Sequence, residues 1–413
     1  MDDRVVITGA GIVCAIGLEL SEVWDGLLDG KHGIRPIEGY DVSGFSKQTA
    51  AQVHGLAPES LGIHPRDSRI MNKHSHMLMK CTQDAFQQAD LHERPVPGDK
   101  IGFYAGIGMV DYEVEDLLPS VLKSMNAIGN LDYERFFSNG YQEIYPLWPL
   151  SMLNNISFCQ VSIRLGICGD NTVFSPHADS GVQAIAEAIA AVRNKKAVAA
   201  LAGGVSEKVS PLSLAREQLL GRKEGNSSVL GEGCGMLVLE LQSSADARGV
   251  DYGASVSGYG FAFDPDEGEA APAVNAIAHS MQQAVETAGL KPEDIDLIIT
   301  HGDGTVAGNK NEVDAIHQVF ASCLDKIRAF STKGAIGHLL AAAPVVDAIV
   351  GLQILAQGVV PATIDGSDSL DVEGNARFHV VSGEPLIANV RKILINCQSY
   401  EGQCASLILE KVA

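Results

Sequence analysis

A chain of 413 residues with 46% hydrophobic and 20% charged residues is long enough to bury a large core, in two domains or one duplicated fold. Its 30 basic against 51 acidic residues give a net charge of −21, which excludes nucleic acid or an anionic membrane surface as the natural main partner. Eight scattered cysteines without a CxxC pair argue against a zinc knuckle or a dithiol redox site, so neither a metal nor another cofactor is expected.

The N-terminus runs from Met1-Asp-Asp-Arg straight into the strand-like Val5-Val-Ile-Thr8, with no basic segment leading into an apolar one. No secretory signal is visible, and a cytoplasmic location is expected. Short apolar runs then alternate with helical patterns, as in an α/β protein with helices on both faces of its sheets. Strands are predicted over residues 4–7, 101–106, 197–201, 235–240, 297–300, 392–396 and 405–410. Helices are predicted over 75–89, 181–193, 271–289, 311–320 and 337–357. The apolar stretch 336–356 has the length of a membrane span, but His338, Pro344, Asp347 and Gln353 within it favour a buried helix.

An internal echo links Gly231-Glu-Gly-Cys-Gly-Met-Leu-Val-Leu-Glu240 to Glu401-Gly-Gln-Cys-Ala-Ser-Leu-Ile-Leu-Glu410. The echo implies duplication into halves 1–250 and 251–413, divided near the polar segment 242–249.

Three places can carry chemistry. Ser175-Pro-His-Ala-Asp-Ser-Gly181 is a tight turn feeding a helix whose Val182, Ile185, Ile189 and Val192 share a face. Backbone N–H groups and the helix dipole there favour an activated nucleophile, yet the turn offers Ala178, which has no reactive atom. Asp179 and Ser180 are expected as N-caps, and His177 as a packing residue rather than a base. Ile299-Thr-His301-Gly-Asp-Gly-Thr305 ends a strand in a glycine-rich turn that presents one histidine to a crevice. In Ser331-Thr-Lys333-Gly-Ala-Ile-Gly-His338, a lysine and a histidine bracket the start of an apolar helix, where burial demands pairing or use. Two such imidazoles can donate hydrogen bonds to a thioester carbonyl and stabilise the enolate left by decarboxylation.

The ordered set Val6-Ile-Thr-Gly-Ala-Gly-Ile12, Ala202-Gly-Gly-Val-Ser206, Leu230-Gly-Glu-Gly233, His301-Gly-Asp-Gly-Thr305, Ser331-Thr-Lys333 and Gly337-His-Leu-Leu340 resembles the β-ketoacyl-ACP synthase family over nearly the whole chain. The resemblance implies the thiolase fold, five αβαβα layers in two duplicated halves, and a dimer. His301 and His338 match the family's two histidines and Lys333 its lysine, while the family's nucleophilic cysteine falls on Ala178. Ala178 and Tyr400 match the positions whose backbone N–H groups form the family's oxyanion hole. The family's C-terminal Asn-Ser-Phe-Gly-Phe-Gly-Gly loop reads Asn396-Cys-Gln-Ser-Tyr-Glu-Gly402 here, with Ser399 and Glu401 in place of glycines. Its aromatic segment before Gly-Glu-Gly is shortened here to 221–229.

These departures imply a chain similar to the chain-length factors of type II polyketide systems. Such a subunit condenses nothing itself, pairs with a catalytic ketosynthase and shapes its tunnel for a polyketide held on acyl carrier protein by phosphopantetheine. By resemblance, residues 110–147 are the dimer contact and tunnel wall. The alternatives are a malonyl-ACP decarboxylase, or an active condensing enzyme with its cysteine changed to alanine, although a single change leaves the altered loops unexplained. Arg66, Arg69, Lys73 and Lys80 form a small basic run that either meets the acidic helix of a carrier or is a solvated face.

Overall fold

The computed structural model describes residues 3–68, 70–112, 114–219, 228–264, 271–364 and 378–412. Eleven strands form its main sheet: β1 (Val5–Cys14), β2 (Ile101–Ile107), β3 (Asn171–Phe174), β4 (Ala199–Val205), β5 (Gly233–Leu241), β6 (Ala254–Phe263), β7 (Leu297–Ile299), β8 (Arg328–Phe330), β9 (His379–Val380), β10 (Lys392–Gln398) and β11 (Gln403–Lys411). Five longer helices frame the layers: α1 (Lys73–Gln88), α2 (Asp179–Arg193), α3 (Val274–Thr287), α4 (Val306–Val319) and α5 (Ala343–Gln357).

The spatial order β9-β8-β7-β10-β11-β6-β1-β5-β4-β2-β3 contains the same arrangement twice. With the edge strand β9 set aside, the five strands of each half lie in the order 3-2-4-5-1, with the first, fifth and fourth antiparallel and the fourth, second and third parallel. One pair, Val6 with Ser255, joins the halves. Helix α1 covers one half's outer face, α3 and α4 cover the other's, and α2 and α5 lie between the two sheets. The result is the five-layer αβαβα thiolase fold.

Alternation along the strands builds these layers. Ile393 and Ile395 face the central core while Leu394 between them faces the outer one, and Ala200 and Leu201 divide in the same way. Helix α5 has apolar side chains all round because sheets flank it on two sides. Its span Leu340–Gln357 is apolar and long enough to cross a bilayer, but 72% of it is buried inside the protein.

Several boundaries differ from the sequence reading, each for a local reason. Strand β1 continues through Gly9 and Gly11 to Cys14, because those glycines let α1 approach: a Cβ there would lie 2.2 Å from the Ala85 carbonyl and 2.1 Å from that of Cys81. The helix predicted from 337 begins at Ala343. Gly337 sits at φ +70°, and Pro344 fits only the first turn of the helix that follows. Strands β3, β6, β8 and β9 are not among the predicted ones. The polar segment expected as a boundary is a short helix, Gln242–Arg248, leading into β6.

Candidate active site

The carboxyl ends of the adjacent parallel strands β8, β7 and β10 lie side by side, the place where α/β folds put ligands. His301 lies two residues beyond β7 and is 4% exposed; Lys333 lies three beyond β8 and is 7% exposed. His338, on the irregular turn before α5 rather than on a helix, is also buried. The two imidazoles meet edge to face with centroids 4.8 Å apart.

Backbone donors fix both rings. The Gln398 N–H donates to His301 Nδ1 at 3.4 Å, and the Leu340 N–H donates to His338 Nδ1 at 3.1 Å. An Nδ1 that accepts leaves the proton on Nε2, so each neutral ring is a hydrogen-bond donor through Nε2. The His301 loop is held from below by Glu312 on α4, whose carboxylate accepts from the backbone N–H groups of His301 (2.7 Å) and Gly302 (2.9 Å) and from Asn396 Nδ2 (2.6 Å). Burial pushes the Glu312 carboxyl up, and these donors, with Lys333, oppose the shift. Lys333 Nζ donates to Asp347 on α5, and Asp347 also accepts from Thr332 Oγ1 at 2.6 Å. The lysine is therefore paired as well as buried.

Ala178 is 1% exposed and forms the backbone N-cap of α2. Neither Asp179 nor Ser180 caps the helix as expected: both lie inside its first turn, and Ser180 Oγ donates back to the His177 carbonyl. The Asp179 carboxylate accepts instead from Ser399 Oγ at 3.0 Å and from Gln183 Nε2 one turn on. His177 reaches the same loop, with Nε2 2.9 Å from Glu401 Oε2 and its ring 4.9 Å from that of Tyr400. Thus the Ala178 turn and the segment carrying Tyr400 are tied together by side chains on both. The Cys397 thiol, 3.6 Å from the Ala178 carbonyl, is pushed up by burial first and by Asp179 next.

Glu312 and Asp347 were missed as site residues. Asp347 was legible as the one acid in an apolar helix, whereas the pairing of Glu312 with a loop eleven residues away left no local signal. The basic run lies elsewhere in the fold. Lys73 donates to the fully buried Glu232, and Lys80 to the partly exposed Asp84 one turn along α1, so both charges are paired within the chain. Arg69, the side chain of Arg66 and residues 221–227 lie outside the described residues.

Residues 2–245 match the family model of the β-ketoacyl synthase N-terminal domain, and residues 253–367 that of the C-terminal domain. The 3-oxoacyl-[acyl-carrier-protein] synthase 2 of Staphylococcus aureus is 26% identical over 99% of this chain and 98% of its own length. Among solved structures, the ishigamide ketosynthase/chain length factor superposes with a TM-score of 0.86 at 26% identity over all of both chains. A type II polyketide synthase ketosynthase, in complex with its acyl-carrier protein and bound to the hexaketide, superposes with a TM-score of 0.81 at 22% identity, also over all of both chains. The last likeness carries the fold alone.

Proposed function

This chain belongs to the β-ketoacyl synthase family, and from that premise we propose that it is a chain-length factor: the non-condensing partner of a catalytic ketosynthase in a cytoplasmic type II polyketide synthase, where it completes and shapes the partner's tunnel. The observation that carries the reading is Ala178. Condensation requires a thiolate to take the acyl chain, and at the head of α2 this chain has a methyl group followed by a carboxylate tied to Ser399. The fold around the position is kept, so what was lost is the reacting atom rather than the scaffold.

A second observation supports assembly with a partner. Leu122, Ile128 and Phe137 are 59%, 81% and 70% exposed on one segment, and among the described residues β3 is paired on one side only. Clustered exposed apolar groups and a strand edge each call for a covering surface. A ketosynthase of the same fold supplies one, with its tunnel running along this segment. In this reading the halves are 1–250 and 251–413. Acyl carrier protein, bearing the phosphopantetheine-linked polyketide, docks chiefly on the ketosynthase, since Lys73 is spent on Glu232. Charge reversal at Arg66 and Arg69 then leaves product yield unchanged.

The test is co-expression with candidate ketosynthase and carrier genes, followed by sizing and product analysis. A one-to-one complex whose full-length product requires this chain is expected; a stable homodimer that ignores every ketosynthase contradicts the reading.

The paired imidazoles favour one further reading, malonyl-ACP decarboxylation without condensation. Both rings accept a backbone N–H on Nδ1 and lie side by side, and two neutral Nε2 donors of that kind suit enolate stabilisation. Malonyl-ACP incubated with the isolated chain decides it: carbon dioxide no faster than background removes this alternative.

A further inference from the structure

We propose that Asp179 is the resident anion of the Ala178 turn and silences this pocket independently of the missing thiol, so that replacing Ala178 by cysteine alone yields an unreactive sulfur. The inference rests on the reading of Ala178 as the vacated nucleophile position and identifies a second, separate lock at that site.

The head of a helix activates a thiol because its free N–H groups and positive dipole end favour an anion. Here that advantage is already taken. Asp179 stands in the first turn of α2, 7% exposed, with one carboxylate oxygen receiving Ser399 Oγ and the other Gln183 Nε2. Two contacts from separate elements hold the charge beside residue 178 instead of letting it swing to solvent. A thiolate formed at 178 would be a second anion on a neighbouring residue, which like-charge repulsion opposes.

The surrounding groups do not reverse this. Lys333, a buried cation whose charge reaches Cys397, is paired with Asp347. At the mouth, His177 contacts Glu401, which brings another carboxylate toward the turn. His301 and His338 accept backbone N–H groups on Nδ1 and are neutral donors in that tautomer. The protein also contains a thiol that reports on the field. Cys397, in contact with the Ala178 carbonyl, feels Asp179 as its strongest charged neighbour, and the effect is to disfavour the thiolate. Burial raises Cys404, on the neighbouring strand, and Asp179 adds to that shift in the same direction.

The test compares Ala178→Cys with the double variant Ala178→Cys/Asp179→Asn, which keeps the shape of the side chain and removes its charge. Thiolate formation is followed by far-ultraviolet absorbance against pH, with the parent protein and its eight cysteines subtracted. Alkylation at residue 178 is mapped by peptide mass spectrometry. The single variant is expected to titrate above the ordinary thiol value of about 8.5, and the double variant at least ~1 unit lower, with roughly tenfold faster alkylation at neutral pH. Should the amide variant fail to fold, Asp179→Ser in the same background serves. Equal midpoints in single and double variants, or a single variant already titrating below the ordinary value, overturn the proposal. Neither result bears on the subunit reading, which stands or falls on assembly with a ketosynthase.

Discussion

His301 and His338 each receive a backbone N–H on Nδ1, and Glu312 holds the His301 loop through two more backbone donors. The precision of the pair therefore depends on an acid that touches neither imidazole ring. Glu312→Gln turns an amide N–H toward one of those backbone donors and leaves it without an acceptor, so it should lower unfolding free energy by about 1–3 kcal/mol in denaturant titrations. His74, at the start of α1, is 1% exposed, with the Met109 backbone beside its ring. Burial lowers its pKa from 6.5 to about 4, with Lys208 and Lys73 adding to the shift and Asp111 and the Met109 backbone opposing it. A base depressed in the folded state takes its proton more readily when unfolded, so its contribution is whole above pH 6.5 and is lost as pH falls toward 4. The loss amounts to about 3 kcal/mol from this group. His74→Leu should flatten that part of the stability-pH profile; a profile unchanged by the substitution would rule out His74 as its source.

At the level of elements, the turn before α5 and the loop after β10 decide what the site can do. Lys333 and Asp347 pin the first to α5 with both groups buried. Lys333→Met leaves the Asp347 charge uncompensated and should destabilise the fold by about 3–5 kcal/mol, whereas Lys333→Met/Asp347→Leu should recover most of the loss. Equal losses in the two variants would mean that the pair is not the source. The loop after β10 is tied to the Ala178 turn through Ser399 and Glu401, the two residues that stand where the family has glycine. Their effect could be stated from the sequence as bulk and charge; their partners could not, because Asp179 and His177 lie more than two hundred residues away. The same limit explains the helix starts. The composition of 337–357 marked a buried helix, but its first turn depends on the φ of Gly337 and on the placement of Pro344. Strand β1 was cut short at its glycines, since only the packing of α1 shows why they belong in a strand.

For the whole molecule, the family motifs made the fold legible and put Ala178 forward as the vacated nucleophile position we propose, because glycines, histidines and the lysine occur in a fixed order along the chain. The committed charge of Lys73 was not legible, since Glu232 meets it from 159 residues away. In the proposed subunit role, assembly depends on the surface from Leu122 to Phe137. Leu122→Glu/Phe137→Glu should abolish the complex with a ketosynthase while changing the isolated chain's stability by no more than about 0.5 kcal/mol, since both side chains already face solvent. Loss of both complex and fold would place these residues in the core instead. The account's central claim is that this chain shapes a tunnel whose covalent chemistry happens on its partner. It is tested most directly by intact-protein mass spectrometry of the reconstituted pair after incubation with acyl-ACP. Acyl mass on the partner alone, with full-length product formed only when this chain is present, is the result predicted. Acyl mass on this chain, or the same product from the partner without it, would contradict the account.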